Sequence, residues 1–88
     1  MYCNCNNLTT APDLLALTLT SYCYYYMFKG CSKLNRIKMM ATNVSASGCL
    51  TYWVSGVASS GTFIKNANAT WTNSGVSGIP NGWTIITE

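Results

Sequence analysis

Shifted by 26 positions, the chain matches itself. Met1, Cys5 and Leu8 fall on Met27, Cys31 and Leu34, while Cys23 and Gly30 fall on Cys49 and Gly56. Met27 and Phe28 fall on the apolar pair Trp53 and Val54. With five cysteines in 88 residues, chance rarely puts two of them in register with two others. Self-similarity at a fixed period of about 20 to 50 residues marks a stacked-repeat architecture, in which each unit covers the apolar face of its neighbour. Such proteins work through an extended surface. The pattern therefore points to a binding face and away from a catalytic pocket.

The offset divides the chain into residues 1–59, which carry repeat units (1–7 partial, 8–33 full, 34–59 diverged), and residues 60–88. In the full unit Leu8-Thr-Thr-Ala-Pro reads as extended, since Pro12 suits a strand end. From Ser21 to Gly30, Cys23, Tyr26 and Met27 have the i, i+3, i+4 spacing of one helical face. Gly30 is a natural helix stop. In the next unit Leu34, Ile37 and Met39 are apolar, and Arg36 and Lys38 alternate with them as outward residues of a strand. Ser45 to Gly56 predicts a second helix-like turn with Cys49 and Trp53 on one side. Residues 60–88 read as a β-rich C-terminal capping segment of antiparallel strands. Gly61–Lys65 and Ala69–Thr72 are candidates, and the turn signal Pro80-Asn81-Gly82 runs into Trp83, Ile85 and other strand formers.

Hydrophobic residues make up 49% of the chain and charged residues 8%, a balance opposite to that of disordered chains. About a quarter of residues are charged in ordinary soluble domains, so solubility here falls to Ser, Thr and Asn. The net charge of +3 comes from Lys29, Lys33, Arg36, Lys38 and Lys65 against Asp13 and Glu88. A nucleic-acid footprint needs basic residues clustered on one face, and none is expected. Leu14–Phe28, the most apolar stretch, is interrupted by Thr18, Thr20 and Ser21 and falls short of the roughly 20 residues of a membrane span. The opening Met-Tyr-Cys-Asn-Cys has neither the basic nor the apolar region of a signal peptide.

Cys31-Ser-Lys-Leu34-Asn-Arg-Ile37-Lys-Met39 resembles the Cys-x-x-Leu-x-x-Ile-x-Leu core of BspA-type leucine-rich repeats. Leu8–Leu14, followed by Thr18–Cys31, is similar to the repeat form common in gut Bacteroidales surface proteins and gut phage proteins. Ala41–Ser47, Trp53–Phe63 and Gly78–Ile85 are similar to the closing segment of those proteins. Two positions depart from the pattern: Asp13 stands where the second unit has Met39, and Leu15 stands where the family usually has proline. The resemblance implies an α/β repeat, a short leucine-rich-repeat solenoid closed by a β-rich C-terminal cap, at a cell surface, in the extracellular space or on a phage virion. It implies contact with a protein or glycan ligand through the concave sheet face, where Thr10, Arg36 and Lys38 point outward. Upstream repeats of a parent chain are the other expected partner, because a stable stack takes at least three repeats. A purely structural cap of a longer solenoid is the rival reading.

Cys5 and Cys31, with Cys23 and Cys49, are expected in equivalent buried places, alongside the repeat positions Leu8, Met27, Leu34, Ile37 and Trp53. A zinc site would show paired ligands, often with His, and the chain has no His. Neither metal nor cofactor is expected. A disulfide set stays open, with one cysteine left over from the odd count. Tyr22, Tyr24, Tyr25 and Tyr26 offer an aromatic patch, with Tyr26 expected to face inward and the others half exposed. Three segments, beginning at Asn7, Asn43 and Asn68, match the glycosylation acceptor pattern, accidental matches in a bacterial or viral protein. Asp13 and Glu88 are the only carboxylate side chains. Without His the common acid–base pairs cannot be assembled, and a lone cysteine nucleophile lacks its base. The sequence predicts a protein that is not an enzyme.

Overall fold

The computed structural model describes residues 6–88, and Met1 to Cys5, including the expected repeat position Cys5, lie outside the described residues. Three four-residue strands form one sheet: β1 (Arg36–Met39), β2 (Thr62–Lys65) and β3 (Thr84–Thr87), in the order β1-β2-β3. Alternation explains β1, where Ile37 and Met39 are fully buried and Arg36 and Lys38 half-buried. In β2 both Phe63 and Ile64 are buried: Phe63 belongs to the core, and Ile64, on the opposite face, lies between Lys38 and Ile86 of the neighbouring strands. β3 is Thr-Ile-Ile-Thr, β-branched throughout, and exposed along its length.

All strand pairing is parallel. Arg36, Thr62 and Thr84 stand side by side across the sheet, as do Lys38, Ile64 and Ile86. On the other side of β1, residues 9–18 run beside it in isolated parallel bridges, Thr10 with Arg36 and Leu14 with Met39. There the N–H groups of Ala11 and Leu14 donate to the carbonyls of Arg36 and Lys38, each at 2.9 Å.

Two long turn runs, residues 21–30 and 47–56, link these extended segments. In the first, the N–H groups of Tyr22, Tyr24, Tyr26, Phe28 and Gly30 donate to the carbonyls of Ser47, Cys49, Thr51, Trp53 and Ser55 at 2.7–3.0 Å. The intervening residues Cys23, Tyr25, Met27 and Lys29 each donate to the carbonyl three residues back. Left-handed backbone recurs at Tyr22, Tyr26 and Gly30, and again at Gly48, Tyr52 and Gly56. The 26-residue offset is thus built into the backbone: 22 matches 48, 26 matches 52 and 30 matches 56.

These features overturn the α/β repeat and the leucine-rich-repeat solenoid. Among the described residues there is no α-helix, and the ordered strands are three short parallel ones in a single sheet. The runs expected as helices fail for a stated reason. An α-helix needs each N–H to bond four residues back, whereas every second N–H of residues 21–30 is taken by residues 47–55, and in 47–56 Tyr52 and Val54 donate to Ser77 and Val76. A left-handed residue at every fourth position also breaks right-handed helical continuity. Gly30 does adopt the left-handed conformation expected of it (φ 79°), but it closes a run of turns. The expected antiparallel tail is corrected as well. β3 joins β2 in parallel, and Ala69–Thr72 forms no strand.

One core lies between the turn runs and the sheet. Phe28 and Trp53 come from the runs, Leu34, Ile37, Met39 and Phe63 from the sheet side, and Ile79 and Trp83 from the tail. Trp53 is the hub, with ring centroids 6.0 Å from Phe28 and 6.2 Å from Phe63. Each indole N–H reaches a carbonyl: Trp53 to Gly78, Trp71 to Ala41 and Trp83 to Ala58, at 2.8–2.9 Å. Buried indoles need such a partner, and these three bonds tie residues 71–83 onto residues 41–58.

Candidate functional site

The outward face of the sheet brings together the three residues expected to meet a ligand. Strand alternation turns Arg36 and Lys38 away from Ile37 and Met39, and the bridge from Thr10 to Arg36 sets the Thr10 backbone beside them. Parallel pairing extends this into two rows. Thr10, Arg36, Thr62 and Thr84 make the first, and Lys38, Ile64 and Ile86 the second. The Lys38 ammonium lies 3.1 Å from a carboxylate oxygen of Glu88, a residue the sequence reading left out of the site. The pair is partly exposed, and such pairs contribute about 0–1 kcal/mol. It orients Lys38 more than it stabilises the fold. Among the described residues Arg36 has no carboxylate partner. Its guanidinium is left with five donors for a planar acceptor.

The remaining expected positions divide by burial. Cys31, Leu34, Ile37, Cys49 and Trp53 are buried, and Leu8 and Met27 pack half-buried against the core. Cys23 differs from the expectation, because it is exposed while its counterpart Cys49 is buried. Tyr24 takes the inward place instead, stacked on Trp53 with rings 18° apart, and Tyr26 is turned outward onto Tyr25. Burial pushes the Tyr24 phenol above its ordinary range. Among the described residues no three His, Cys, Asp or Glu side chains come together as a metal site, and no helix is long and apolar enough to cross a membrane. The tail frames a depression of about 230 Å³ lined by Ile79, Pro80, Trp83 and Ile85, where Lys65 is the sole titratable neighbour.

Thiol chemistry checks these placements. Burial pushes the Cys49 thiol up, and its S–H donates to the Val44 carbonyl at 3.3 Å. The thiolate is the reactive form, so burial and the raised thiol together disfavour attack by Cys49. Iodoacetamide should modify Cys23 in the native protein, and Cys31 and Cys49 only after denaturation, as read by peptide mass spectrometry. Rapid native labelling of Cys49 would contradict its burial.

Compared with family models, curated proteins and solved structures, the chain matches none.

Proposed function

We propose that this chain is a non-enzymatic recognition module that binds a protein or glycan ligand through the outward face of its parallel sheet. The observation that carries this reading is the Arg36 guanidinium, uncompensated by any described carboxylate and standing in a row of threonines. A guanidinium binds a carboxylate in bidentate fashion, and the hydroxyls of Thr10, Thr62 and Thr84 add donors and acceptors along the same row. Glu88 leaves one carboxylate beside Lys38, so the face accepts hydroxyl-rich ligands as well as anionic ones. The resemblance of Cys31–Met39 to BspA-type repeats suggests the setting: extracellular, cell-surface or virion-borne.

Charge reversal tests the reading. Against arrays of immobilised glycans and surface proteins, the wild-type chain should give signals that Arg36→Glu together with Lys38→Glu abolishes. The double variant should still unfold cooperatively, with its midpoint lowered, because both side chains are half-buried and Lys38→Glu sets a second carboxylate where Lys38 now pairs with Glu88. Equal signals from wild type and folded variant would overturn the proposal.

A further inference from the structure

A second surface lies on the turn runs, with the core between it and the sheet. Tyr25 and Tyr26 stack with centroids 4.1 Å apart, Tyr22 meets Tyr25 edge-on at 5.5 Å, and Tyr52 leans on Tyr26 at 5.7 Å. Tyr22 and Tyr52 are 60% and 47% exposed. The Lys29 ammonium sits 4.9 Å from the centre of the Tyr26 ring, and among the described residues it has no carboxylate partner. A hydrogen bond with Tyr26 holds the Tyr25 phenol above its ordinary range.

The backbone marks this cluster as unusual. Among the described residues Tyr22, Tyr26 and Tyr52 are the non-glycine residues with positive φ, at 59°, 55° and 50°. Tyr22 has Gly48 as its match, Tyr26 and Tyr52 match each other, and the remaining left-handed positions of the two runs, 30 and 56, are both Gly. Bulky residues in this conformation are strained, and such strain gathers at binding sites. Three strained positions all carry tyrosine, and all three belong to one aromatic cluster.

We propose that Tyr22, Tyr25, Tyr26 and Tyr52, with Lys29, form a binding platform for an acidic oligosaccharide. The apolar faces of its sugar rings stack on the open rings of Tyr22 and Tyr52. Its carboxylate or sulfate meets the Lys29 ammonium. The occupant follows from charge: the chain carries +3, and one of its two acidic side chains is already held by Lys38. Flat rings with hydroxyl ends suit a ligand that is apolar on its faces and polar on its rim. This site is independent of the sheet face.

The test uses isothermal titration of the full chain with a hyaluronan hexasaccharide, a heparin hexasaccharide, a neutral N-acetylglucosamine hexamer and a glutamate-rich peptide. At least one acidic saccharide should bind, and more tightly than either the neutral hexamer or the peptide. Tyr22→Gly and Tyr52→Gly should each weaken that binding by roughly two- to tenfold, the range for loss of one aromatic contact. Their thermal midpoints should hold or rise, because glycine relieves the left-handed strain. Lys29→Gln should weaken binding and flatten its salt dependence, while Arg36→Glu should leave it unchanged. Absent binding of both acidic saccharides, equal binding of the neutral hexamer or the peptide, or tyrosine variants that melt lower and bind normally would each overturn the platform.

Discussion

Trp53→Ala should bring the protein to the edge of unfolding. The side chain is fully buried, and its ring touches Tyr24, Phe28 and Phe63, which come from one turn run and from β2. Removing a buried tryptophan costs about 3–5 kcal/mol in lost transfer energy and cavity formation. The Gly78 carbonyl also loses its indole donor at 2.8 Å. An unsatisfied buried carbonyl adds about 1–3 kcal/mol. Chains of this length have total stabilities of about 4–13 kcal/mol, so the loss takes a large share or all of it. Urea unfolding followed by far-UV circular dichroism should show the midpoint collapse. Trp53→Phe, which keeps an aromatic ring but no N–H, should lose clearly less. Equal midpoints for Trp53→Ala and wild type would remove Trp53 from the centre of the core.

Gly61→Ala should give the second large loss, for a different reason. A Cβ at this position collides with the Asn35 carbonyl oxygen and stands 2.9 Å from Trp83 Cε2. Asn35 offers that same oxygen to the Thr62 N–H, and Gly61 offers its own carbonyl to the Thr84 N–H at 2.8 Å. The added methyl therefore presses β2 away from β1 where both pairings begin. Overpacking against unyielding atoms costs about 1–3 kcal/mol, occasionally more. The same urea titration reads the loss. As a control, Gly75→Ala meets no neighbouring atom and should lose less, only the conformational cost of its positive φ.

Much of the sheet was legible in the chain. The alternation Arg36-Ile37-Lys38-Met39, the run at Gly61–Lys65 and the turn at Pro80–Gly82 leading into a strand each reflect local chemistry, and each lies where expected. The outward turn of Arg36 and Lys38 follows from the same alternation, while Thr10 stands beside Arg36 through the 26-residue offset. Glu88 was not legible as a partner of Lys38, because its approach depends on β3 lying parallel to β2. The tyrosine cluster was half visible. Four tyrosines between positions 22 and 26 announced an aromatic patch, and Tyr52, 26 residues after Tyr26, was the signal that would have completed it. Exchanging the expected roles of Tyr24 and Tyr26 required the left-handed backbone, which no spacing rule reveals.

By itself the sequence determined the 26-residue correspondence, the apolar positions that fill the core and the glycines that accept left-handed backbone. These are set by side-chain chemistry and by the steric freedom of single residues. Only the tertiary structure decided that residues 21–30 and 47–56 become turns and not helices, that every strand runs parallel, and that Cys23 faces water while Cys49 does not. Apolar residues three and four apart fit a helix and a four-residue turn period equally well. What separates the two is the acceptor for every second backbone N–H, and for residues 21–30 that acceptor lies 25 residues further along the chain.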